Sequence, residues 1–350
     1  MKTKQILVGN VPIGGGAPVA VQSMTNTDTA DAAATLAQIR QLYESGCQIV
    51  RCTVPNAESA EALKIICKES PIPVVADIHF DYRLALAAAD AGVSKIRINP
   101  GNIGSEERVK AVAEKCLEKH IPIRIGVNSG SIEKEILEKY GSPTPEAMVE
   151  SALYHISLLN RYGFDDICVS LKSSSVPTTM KAYQLMHERT NYPLHLGVTE
   201  AGTEYMGTVK SAAGIGGLLA LGIGDTIRVS LTADPVREIG AAYAILKAVG
   251  LNETGVNIVS CPTCGRTKID LISIANEVEQ RVSHLNARLK VAVMGCAVNG
   301  PGEAREADIG IAGGDGVGLI FRKGEIIRKV PQEQLVDCLM EEIHALLKEN

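Results

Sequence analysis

Short apolar runs rich in β-branched residues alternate with helix-length amphipathic segments between about residues 17 and 250. This alternation is typical of repeated βα units around a parallel sheet. Eight such runs predict strands at Pro18–Ser23, Ile49–Val54, Val74–Ile78, Lys95–Asn99, Ile123–Asn128, Ile167–Lys172, Leu194–Glu200 and Thr226–Leu231. Eight strand and helix pairs predict an α/β fold of the (β/α)8 TIM-barrel type. A doubly wound open sheet is the alternative, because counting strands does not show closure.

The regular alternation of strand-like and helix-like segments ends after Leu251, and we place a domain boundary there. We predict that residues 1–253 form the barrel domain and residues 254–350 a small α+β domain. Before the barrel, residues 6–14 predict a hairpin with Gly9 and Asn10 as its turn. The predicted elements of the second domain are strands at Val256–Ser260, Lys290–Met294, Ile309–Ala312 and Gly318–Phe321, and helices at Ile269–Leu285 and Gln332–Lys348.

Composition narrows the classes of function. The net charge is −5, aromatic residues make up 3% of the chain and Trp is absent, which argues against a nucleic-acid-binding surface. No segment has the length and apolar character of a signal sequence or a membrane span, so we predict a cytoplasmic protein. An odd number of cysteines, nine, argues against a disulfide framework. Six occur singly and are predicted to be buried apolar residues: Cys47, Cys52, Cys67, Cys116, Cys168 and Cys338.

Polar side chains recur along the predicted barrel strands and at their carboxyl ends, where barrels place their reactive groups. They are Arg51, Asp77, His79, Arg97, Asn99, Arg124, Asn128, Ser170, Lys172, Glu200, Arg228 and Ser230. Five are cations, and burying them without a counter-charge would be costly, so we predict a ligand with several negative charges. Arginine forks match phosphate oxygens, which favours a phosphate or diphosphate. The alternative is that these are ordinary salt-bridged strand residues.

Proton transfer to or from a ligand at the carboxyl ends of the strands needs titratable side chains there. Asp77, His79 and Glu200 are able to move protons and are therefore candidate catalytic residues. For His79, a purely structural hydrogen-bonding role is the alternative.

The second domain carries Cys261 and Cys264 in a Cys-x-x-Cys motif, followed by Cys296 and then Glu303. A thioredoxin-like redox pair does not account for Cys296, which lies in a Gly- and Pro-rich loop. A zinc site stays open, although Glu303 would be an unusual ligand for structural zinc. Three thiolates and one carboxylate suit a [4Fe-4S] cluster whose fourth iron can exchange its oxygen ligand for substrate.

Seven ordered motifs make the chain resemble the 4-hydroxy-3-methylbut-2-enyl diphosphate synthase family of the methylerythritol phosphate isoprenoid pathway. They are Val21-Gln-Ser-Met-Thr-Asn-Thr, Ala76-Asp-Ile-His-Phe-Asp-Tyr, Arg97-Ile-Asn-Pro-Gly-Asn-Ile-Gly, Arg124-Ile-Gly-Val-Asn, Gly224-Asp-Thr-Ile-Arg-Val-Ser-Leu, Cys261-Pro-Thr-Cys-Gly-Arg and Cys296-Ala-Val-Asn-Gly-Pro-Gly-Glu. The resemblance runs from about residue 4 to the end and is to the compact bacterial form of the family.

The resemblance implies an oxidoreductase that reductively opens and dehydroxylates 2-C-methyl-D-erythritol 2,4-cyclodiphosphate with single electrons from ferredoxin or flavodoxin. It implies cluster ligands at Cys261, Cys264, Cys296 and Glu303, with Glu303 exchangeable, and a proton donor at Glu200. It implies a diphosphate site made by Arg51, Arg97, Arg124, Asn128, Lys172, Arg228 and Ser230. It also implies a head-to-tail homodimer in which one subunit's cluster domain covers its partner's barrel, whereas capping within one chain is the alternative.

Two other functions are compatible with the residue pattern. One is a phosphate-binding, aldolase-like barrel whose metal domain is structural, which would need no electron donor. The other is an iron–sulfur sensor without chemistry, against which the ring of acid, base and cationic residues argues.

Overall fold

The chain folds into two compact units, Met1–Leu251 and Asn252–Asn350. The computed structural model describes residues 2–99, 103–252, 254–285, 287–297, 302 and 304–349. The first unit opens with an antiparallel hairpin of β1 (Ile6–Val8) and β2 (Val11–Ile13), which confirms the hairpin predicted over residues 6–14. Gly9 in its turn has a φ of +58°, a conformation that glycine adopts without steric cost.

A ring of parallel strands follows the hairpin. The strands are β3 (Ala20–Met24), β4 (Ile49–Thr53), β5 (Val74–Asp77), β6 (Lys95–Ile98), β7 (Ile123–Asn128), β8 (Ile167–Lys172), β9 (His195–Leu196) and β10 (Thr226–Ile227). Across the described part of the first unit they form one 8-stranded sheet in the order β8-β7-β6-β5-β4-β3-β10-β9. A parallel bridge between Val169 and Leu194 joins β8 to the residue preceding β9 and closes the sheet. The barrel prediction is therefore confirmed, and the open sheet is excluded.

Helices surround the barrel strands. They are α1 (Ala32–Glu44), α2 (Ala57–Glu69), α3 (Tyr82–Asp90), α4 (Glu106–Lys119), α5 (Lys134–Tyr140), α6 (Pro145–Arg161), α7 (Val176–Arg189), α8 (Glu204–Ser211), a π-helical turn (Ala212–Gly216), α9 (Gly217–Ala220) and α10 (Pro235–Ala248). Side-chain caps set several starts: Asp31 accepts a hydrogen bond from the Ala34 N–H, and Asn56 from the Ser59 N–H. Among the described residues, no helix has both the length and the apolar character needed to cross a bilayer.

Two barrel strands are shorter than predicted. The sequence predicts strands over Leu194–Glu200 and Thr226–Leu231, but the ladder spans only His195–Leu196 and Thr226–Ile227. Beyond Leu196, Gly197 lies so close to Lys172 that an added Cβ would be 2.7 Å from Nζ. The chain then turns at Glu200, which has a φ of +51°. After β9 the backbone thus makes room for the charged end of Lys172.

The amino-terminal end of the barrel is apolar. Residues of the hairpin, including Ile6, Val8 and Ile13, pack against Ala20, Ile49, Val75 and Cys168 of the barrel strands. Each of these side chains is at most 3% exposed. The hairpin thus closes the end of the barrel opposite the strand carboxyl ends.

The second unit has one mixed sheet. Within its described residues the strands are β11 (Val256–Ser260), β12 (Leu289–Met294), β13 (Ile309–Gly313), β14 (Val317–Arg322) and β15 (Glu325–Pro331), and the helices are α11 (Leu271–Val282) and α12 (Leu335–Glu349). Strands β11, β12 and β13 are parallel, and β14 and β15 continue antiparallel. Strand β15 is not among the strands predicted from the sequence. Its signal is Lys323-Gly324, where both residues have positive φ and form a two-residue hairpin turn between apolar runs.

Candidate active site

A cavity of about 220 Å³ lies at the carboxyl ends of the barrel strands. We call it the cationic pocket, and its lining residues are Met24, Arg51, Thr53, Asp77, His79, Arg97, Arg124, Asn128, Ser170, Lys172, Val198, Thr199, Arg228 and Ser230. All five cations singled out in the sequence line it, each from a different strand or strand end of the barrel. Glu200 is not among the lining residues; its side chain is exposed in the loop after β9.

Asp77 is the first counter-charge inside the cationic pocket. Its Oδ1 lies 3.1 Å from Arg97 Nη1 and its Oδ2 lies 3.6 Å from Arg51 Nε. Burial acts to raise the pKa of Asp77, but the positive charges of Arg51 and Arg97 outweigh it and lower the pKa to about 2. Asp77 is therefore an ionised group that orients two arginines. His79, half-exposed at the rim, places Nε2 4.0 Å from Asp77 Oδ2.

Glu238 is a second counter-charge, which the sequence analysis missed. It lies in the first turn of α10 and is only 2% exposed. Its Oε1 lies 2.9 Å from Arg228 Nη2, its Oε2 lies 3.2 Å from Arg228 Nε, and it also accepts hydrogen bonds from Ser23 Oγ and the Leu231 N–H. Arg228 in turn donates to Ser230 Oγ at 2.7 Å. The signal in the sequence is the Asp234-Pro235 helix start, which places Glu238 one turn later against β10.

These carboxylates correct one premise of the sequence analysis. The five cations were treated as lacking a counter-charge, whereas Asp77 and Glu238 pair with Arg51, Arg97 and Arg228. Both carboxylates come from elements that the linear sequence does not place beside their partners: Asp77 reaches the neighbouring strands β4 and β6, and Glu238 reaches β10 from a helix. Salt bridging therefore explains three of the cations without any ligand.

Arg124 and Lys172 carry the remaining positive charge. No carboxylate of the described residues forms an ion pair with either of them, and Arg124 Nε and Nη1 are buried without a hydrogen-bond partner there. Burial lowers the pKa of Arg124 to about 9, with a further lowering from Arg51 and Arg97. Burial also lowers the pKa of Lys172 well below its usual value. These two cations are the part of the pocket that an anionic ligand would neutralise.

Two glycines make room for the cations. A Cβ on Gly126 of β7 would lie 2.5 Å from Arg97 Nε, and one on Gly197 would lie 2.7 Å from Lys172 Nζ. Any side chain at either position would displace a charged group from the pocket. Both positions lie among barrel strands, where glycine is otherwise unfavourable, so their occurrence points to close packing of the cations.

The three motif cysteines belong to the second unit. Cys261 follows β11 directly and Cys296 follows β12 by two residues, and these strands are parallel neighbours, so both lie at the same edge of the sheet. The Gly295 N–H donates a hydrogen bond to Cys261 Sγ at 3.1 Å. The Lys268 N–H donates to the Gly295 carbonyl at 2.9 Å, which brings the Cys-x-x-Cys turn against the same loop.

The thiols differ in exposure and in acidity. Cys261 and Cys296 are half-buried and Cys264 is exposed. Hydrogen bonds from the backbone and side chain of Arg266 lower the pKa of Cys264, which favours the thiolate form that binds metals. By contrast, burial raises the pKa of Cys47 and Cys52 to about 11, so these are neutral core thiols. Of the six cysteines predicted to be core residues, the structure buries five and leaves Cys67 half-buried.

The chemistry of this sheet edge fits a thiolate-ligated iron–sulfur cluster. A backbone N–H directed at Cys261 Sγ stabilises a thiolate, and hydrogen bonds of this kind tune cluster potentials. The described residues contain no group of three His, Cys, Asp or Glu side chains arranged to hold a single metal ion. Glu303, the expected fourth ligand, lies outside the described residues.

The fold and pocket define a TIM-barrel protein with a cationic site at its strand ends, joined to a separate cysteine-bearing α+β unit. The GcpE TIM-barrel domain matches residues 3–243 and the GcpE protein C-terminal domain matches residues 257–345. The chain belongs to the GcpE family.

Similar proteins extend over the full length of the chain. A 4-hydroxy-3-methylbut-2-en-1-yl diphosphate synthase (flavodoxin) of Geobacter sulfurreducens is 60% identical over 348 residues, covering 99% of each chain. A protein of the same name from Clostridium perfringens is 61% identical over 345 residues, again covering 99% of each. The N-acetylneuraminic acid synthetase structure from Leptospira borgpetersenii has a TM-score of 0.50 at 12% identity, covering 81% of this chain and 98% of that one. That last similarity concerns the fold alone.

Proposed function

We propose that this protein reductively opens the ring of 2-C-methyl-D-erythritol 2,4-cyclodiphosphate and removes a hydroxyl group to give 4-hydroxy-3-methylbut-2-enyl diphosphate. Membership of the GcpE family and the names of its relatives support this activity. The observation that carries it in the structure is the pair Arg124 and Lys172, whose charges have no carboxylate partner among the described residues of the pocket. A cyclic diphosphate brings two negative charges to these two cations.

Within the pocket, the residues divide into two groups. Arg124 and Lys172 bind the diphosphate, with Asn128 and Ser230 donating further hydrogen bonds beside them. Arg51, Arg97 and Arg228 also face the ligand, but Asp77 and Glu238 hold their guanidinium groups in fixed orientations. Orientation before binding lowers the entropic cost of binding. His79, at the rim, is proposed to act near the reacting carbons. Glu200, exposed in the loop after β9, is the proposed proton donor to the leaving oxygen.

Cys261, Cys264, Cys296 and Glu303 would hold a [4Fe-4S] cluster, which would provide electrons singly. The three cysteines provide thiolates, and the Gly295 N–H stabilises the negative charge on Cys261 Sγ. Glu303 is proposed as the ligand that leaves, because a carboxylate binds iron less strongly than a thiolate does. Cysteine ligands stay reduced in the cytosol, whereas oxidising compartments favour disulfides. We therefore propose a cytoplasmic location. Flavodoxin is the proposed electron donor.

Anaerobic reconstitution tests this proposal. We expect the protein to bind iron and sulfide, to show an iron–sulfur signal in electron paramagnetic resonance after reduction, and to convert the cyclodiphosphate only when reduced flavodoxin is present. Replacing flavodoxin with ferredoxin in the same assay identifies the donor. Turnover without any donor would instead support an aldolase-like barrel, and a colourless protein with stoichiometric zinc would contradict the cluster.

A head-to-tail homodimer is proposed in which each active site combines one subunit's barrel with its partner's cysteine-bearing unit. Mixing Arg124→Ala and Cys296→Ala subunits tests it, because a mixed dimer would rebuild one intact site from two inactive chains. Random pairing predicts recovery of about a quarter of the wild-type activity, since half of the dimers are mixed and each has one intact site. Capping within one chain predicts no recovery.

A further inference from the structure

A second polar layer lies inside the barrel beneath the cationic pocket. We call it the inner polar layer, and it consists of Gln22, Lys95, Arg124, His195 and Thr226, each at most 1% exposed. The residues come from strands β3, β6, β7, β9 and β10, and His195 pairs in register with Thr226. Lys95 precedes Arg97 by two residues on β6 and therefore faces the same side, one step further from the pocket. Arg124 belongs to both layers.

Every member of the inner polar layer has polar atoms without a protein partner. Lys95 Nζ, both ring nitrogens of His195 and the Thr226 hydroxyl have no hydrogen-bond partner among the described residues. The same holds for both amide atoms of Gln22 and for Nε and Nη1 of Arg124. Unpaired buried polar atoms are costly, and buried water is the usual solution where several converge. The mixture of donors and acceptors in this layer suits ordered water.

The charges around Lys95 are unbalanced. The ionisable groups that act on it are Arg51 from β4, Arg124 from β7, Cys168 from β8 and His195 from β9. None of these groups is a carboxylate, and Asp77, the carboxylate of the neighbouring strand β5, forms ion pairs with two arginines. Burial lowers the pKa of Lys95 to about 8; Cys168 acts to raise this pKa, whereas the charges of Arg124 and Arg51 add to the lowering. With a pKa of about 8, Lys95 loses its proton slightly above neutral pH when no ligand is bound.

We infer that the inner polar layer is a hydrated proton-binding site coupled to the pocket above it: when a multiply charged anion binds against Arg124, Lys95 takes up one proton from water. Negative charge in the pocket favours the ammonium form of a lysine beneath it. By linkage, protonation of Lys95 then strengthens binding of the anion. This inference rests on the proposed function in that the anion is the cyclodiphosphate.

Calorimetry of ligand binding in buffers with different ionisation enthalpies counts the protons taken up. The cyclodiphosphate is a suitable probe because each of its phosphates has one ester bond, one anhydride bond and a single strongly acidic hydroxyl, so neither titrates near neutral pH. Without an electron donor it is not turned over. For the wild-type holoenzyme we expect uptake of at least about half a proton per site near pH 9, where free Lys95 is mostly neutral. Near pH 7 its contribution should be small.

Two variants isolate the contribution of Lys95. Lys95→Met keeps the side-chain volume and should bind the ligand while losing the uptake near pH 9. Lys134→Met is the matched control, because Lys134 is 89% exposed on the surface, and it should behave as wild type. Lys172, whose pKa burial also lowers, is present in all of these proteins, so the difference between wild type and Lys95→Met reports Lys95.

Equal uptake by wild type and Lys95→Met would overturn the inference while leaving the proposed function intact. Failure of the cyclodiphosphate to bind any of these proteins would overturn both. If Lys95→Met does not fold, nuclear magnetic resonance of ¹³C-labelled lysines in the unaltered protein reads the titration directly. In a parallel titration, Lys172→Arg removes the other buried lysine signal of the pocket. A rise in the pKa of the remaining buried lysine from near 8 on adding the ligand supports the inference, and an unchanged titration contradicts it.

Discussion

Glu238→Gln removes the buried negative charge that holds Arg228. The carboxylate accepts hydrogen bonds at 2.9 Å and 3.2 Å from Arg228, at 3.0 Å from Ser23 Oγ and at 3.1 Å from the Leu231 N–H. An amide keeps one acceptor oxygen but presents N–H groups to the remaining donors. Breaking a buried ion pair by removing one partner costs about 3–5 kcal/mol. Because the Arg228 side chain is 17% exposed and gains some hydration, we expect a loss of about 2–3 kcal/mol in the free energy of unfolding.

Thermal unfolding followed by far-ultraviolet circular dichroism measures this loss. For a unit of this size, 1 kcal/mol corresponds to about 2–4 °C, so the barrel transition should fall by roughly 5–10 °C. Glu204→Gln is the matched control, because it breaks the Arg237–Glu204 ion pair, which has an N–O distance of 2.7 Å but lies on the surface. An exposed pair contributes about 0–1 kcal/mol, so its transition should move little. A similar shift in both variants, or none in Glu238→Gln, would refute the argument from burial.

Three further predictions concern the anion site, the acid stability and the cluster. Arg124→Ala should weaken cyclodiphosphate binding by about 1.5–3 kcal/mol, the contribution of a hydrogen bond to a charged group, and an unchanged Kd in calorimetry would remove Arg124 from the site. Asp77 has a folded-state pKa of about 2, below its unfolded value, so its ionised form stabilises the fold above about pH 4 and that contribution disappears as the pH falls towards 2. Asp77→Asn should therefore unfold with a weaker pH dependence in this window than wild type, as acid titration of circular dichroism would show; an equal dependence would exclude Asp77 as its source. Cys296→Ala should lose the visible absorption of the cluster, whereas Glu303→Ala should retain it and lose most turnover; equal loss of absorption in both would make Glu303 a structural ligand.

The barrel was predictable because its signal is periodic. Each βα unit repeats the same apolar run and amphipathic segment. A misplaced strand boundary in one unit therefore does not change the predicted number of units. Closure was not predictable, since it depends on one bridge between Val169 and Leu194. The lengths of β9 and β10 were also wrong; after β9, Gly197 lies against the charged end of Lys172, which comes from another strand. The missed β15 has little alternation of buried and exposed residues, as expected for an edge strand.

The pocket was predictable to the extent that a strand's period of two decides which side chains share a face. That rule brought Arg51, Arg97 and Arg228 together without any structure. It could not identify Glu238, whose contact with Arg228 depends on how a helix packs against its own preceding strand. It also cannot separate Lys95 from a solvent-facing lysine, because an isolated polar residue in a strand has the same pattern in either place. For the cysteines, the structure places Cys261 and Cys296 at the same edge of a sheet, and their role as cluster ligands stays a prediction.

The division between paired and unpaired cations suggests how one pocket can be stable when empty and still bind an anionic ligand. If all five cations lacked partners, their repulsion would destabilise the empty barrel, and if all were paired, a ligand would have to displace a carboxylate from each. Asp77 and Glu238 neutralise part of the charge and keep three arginines in place, whereas Arg124 and Lys172 form no ion pair with a carboxylate of the described residues. We therefore expect stability and affinity to depend on different residues. Substitutions at Glu238 should act mainly on unfolding, and substitutions at Arg124 mainly on binding.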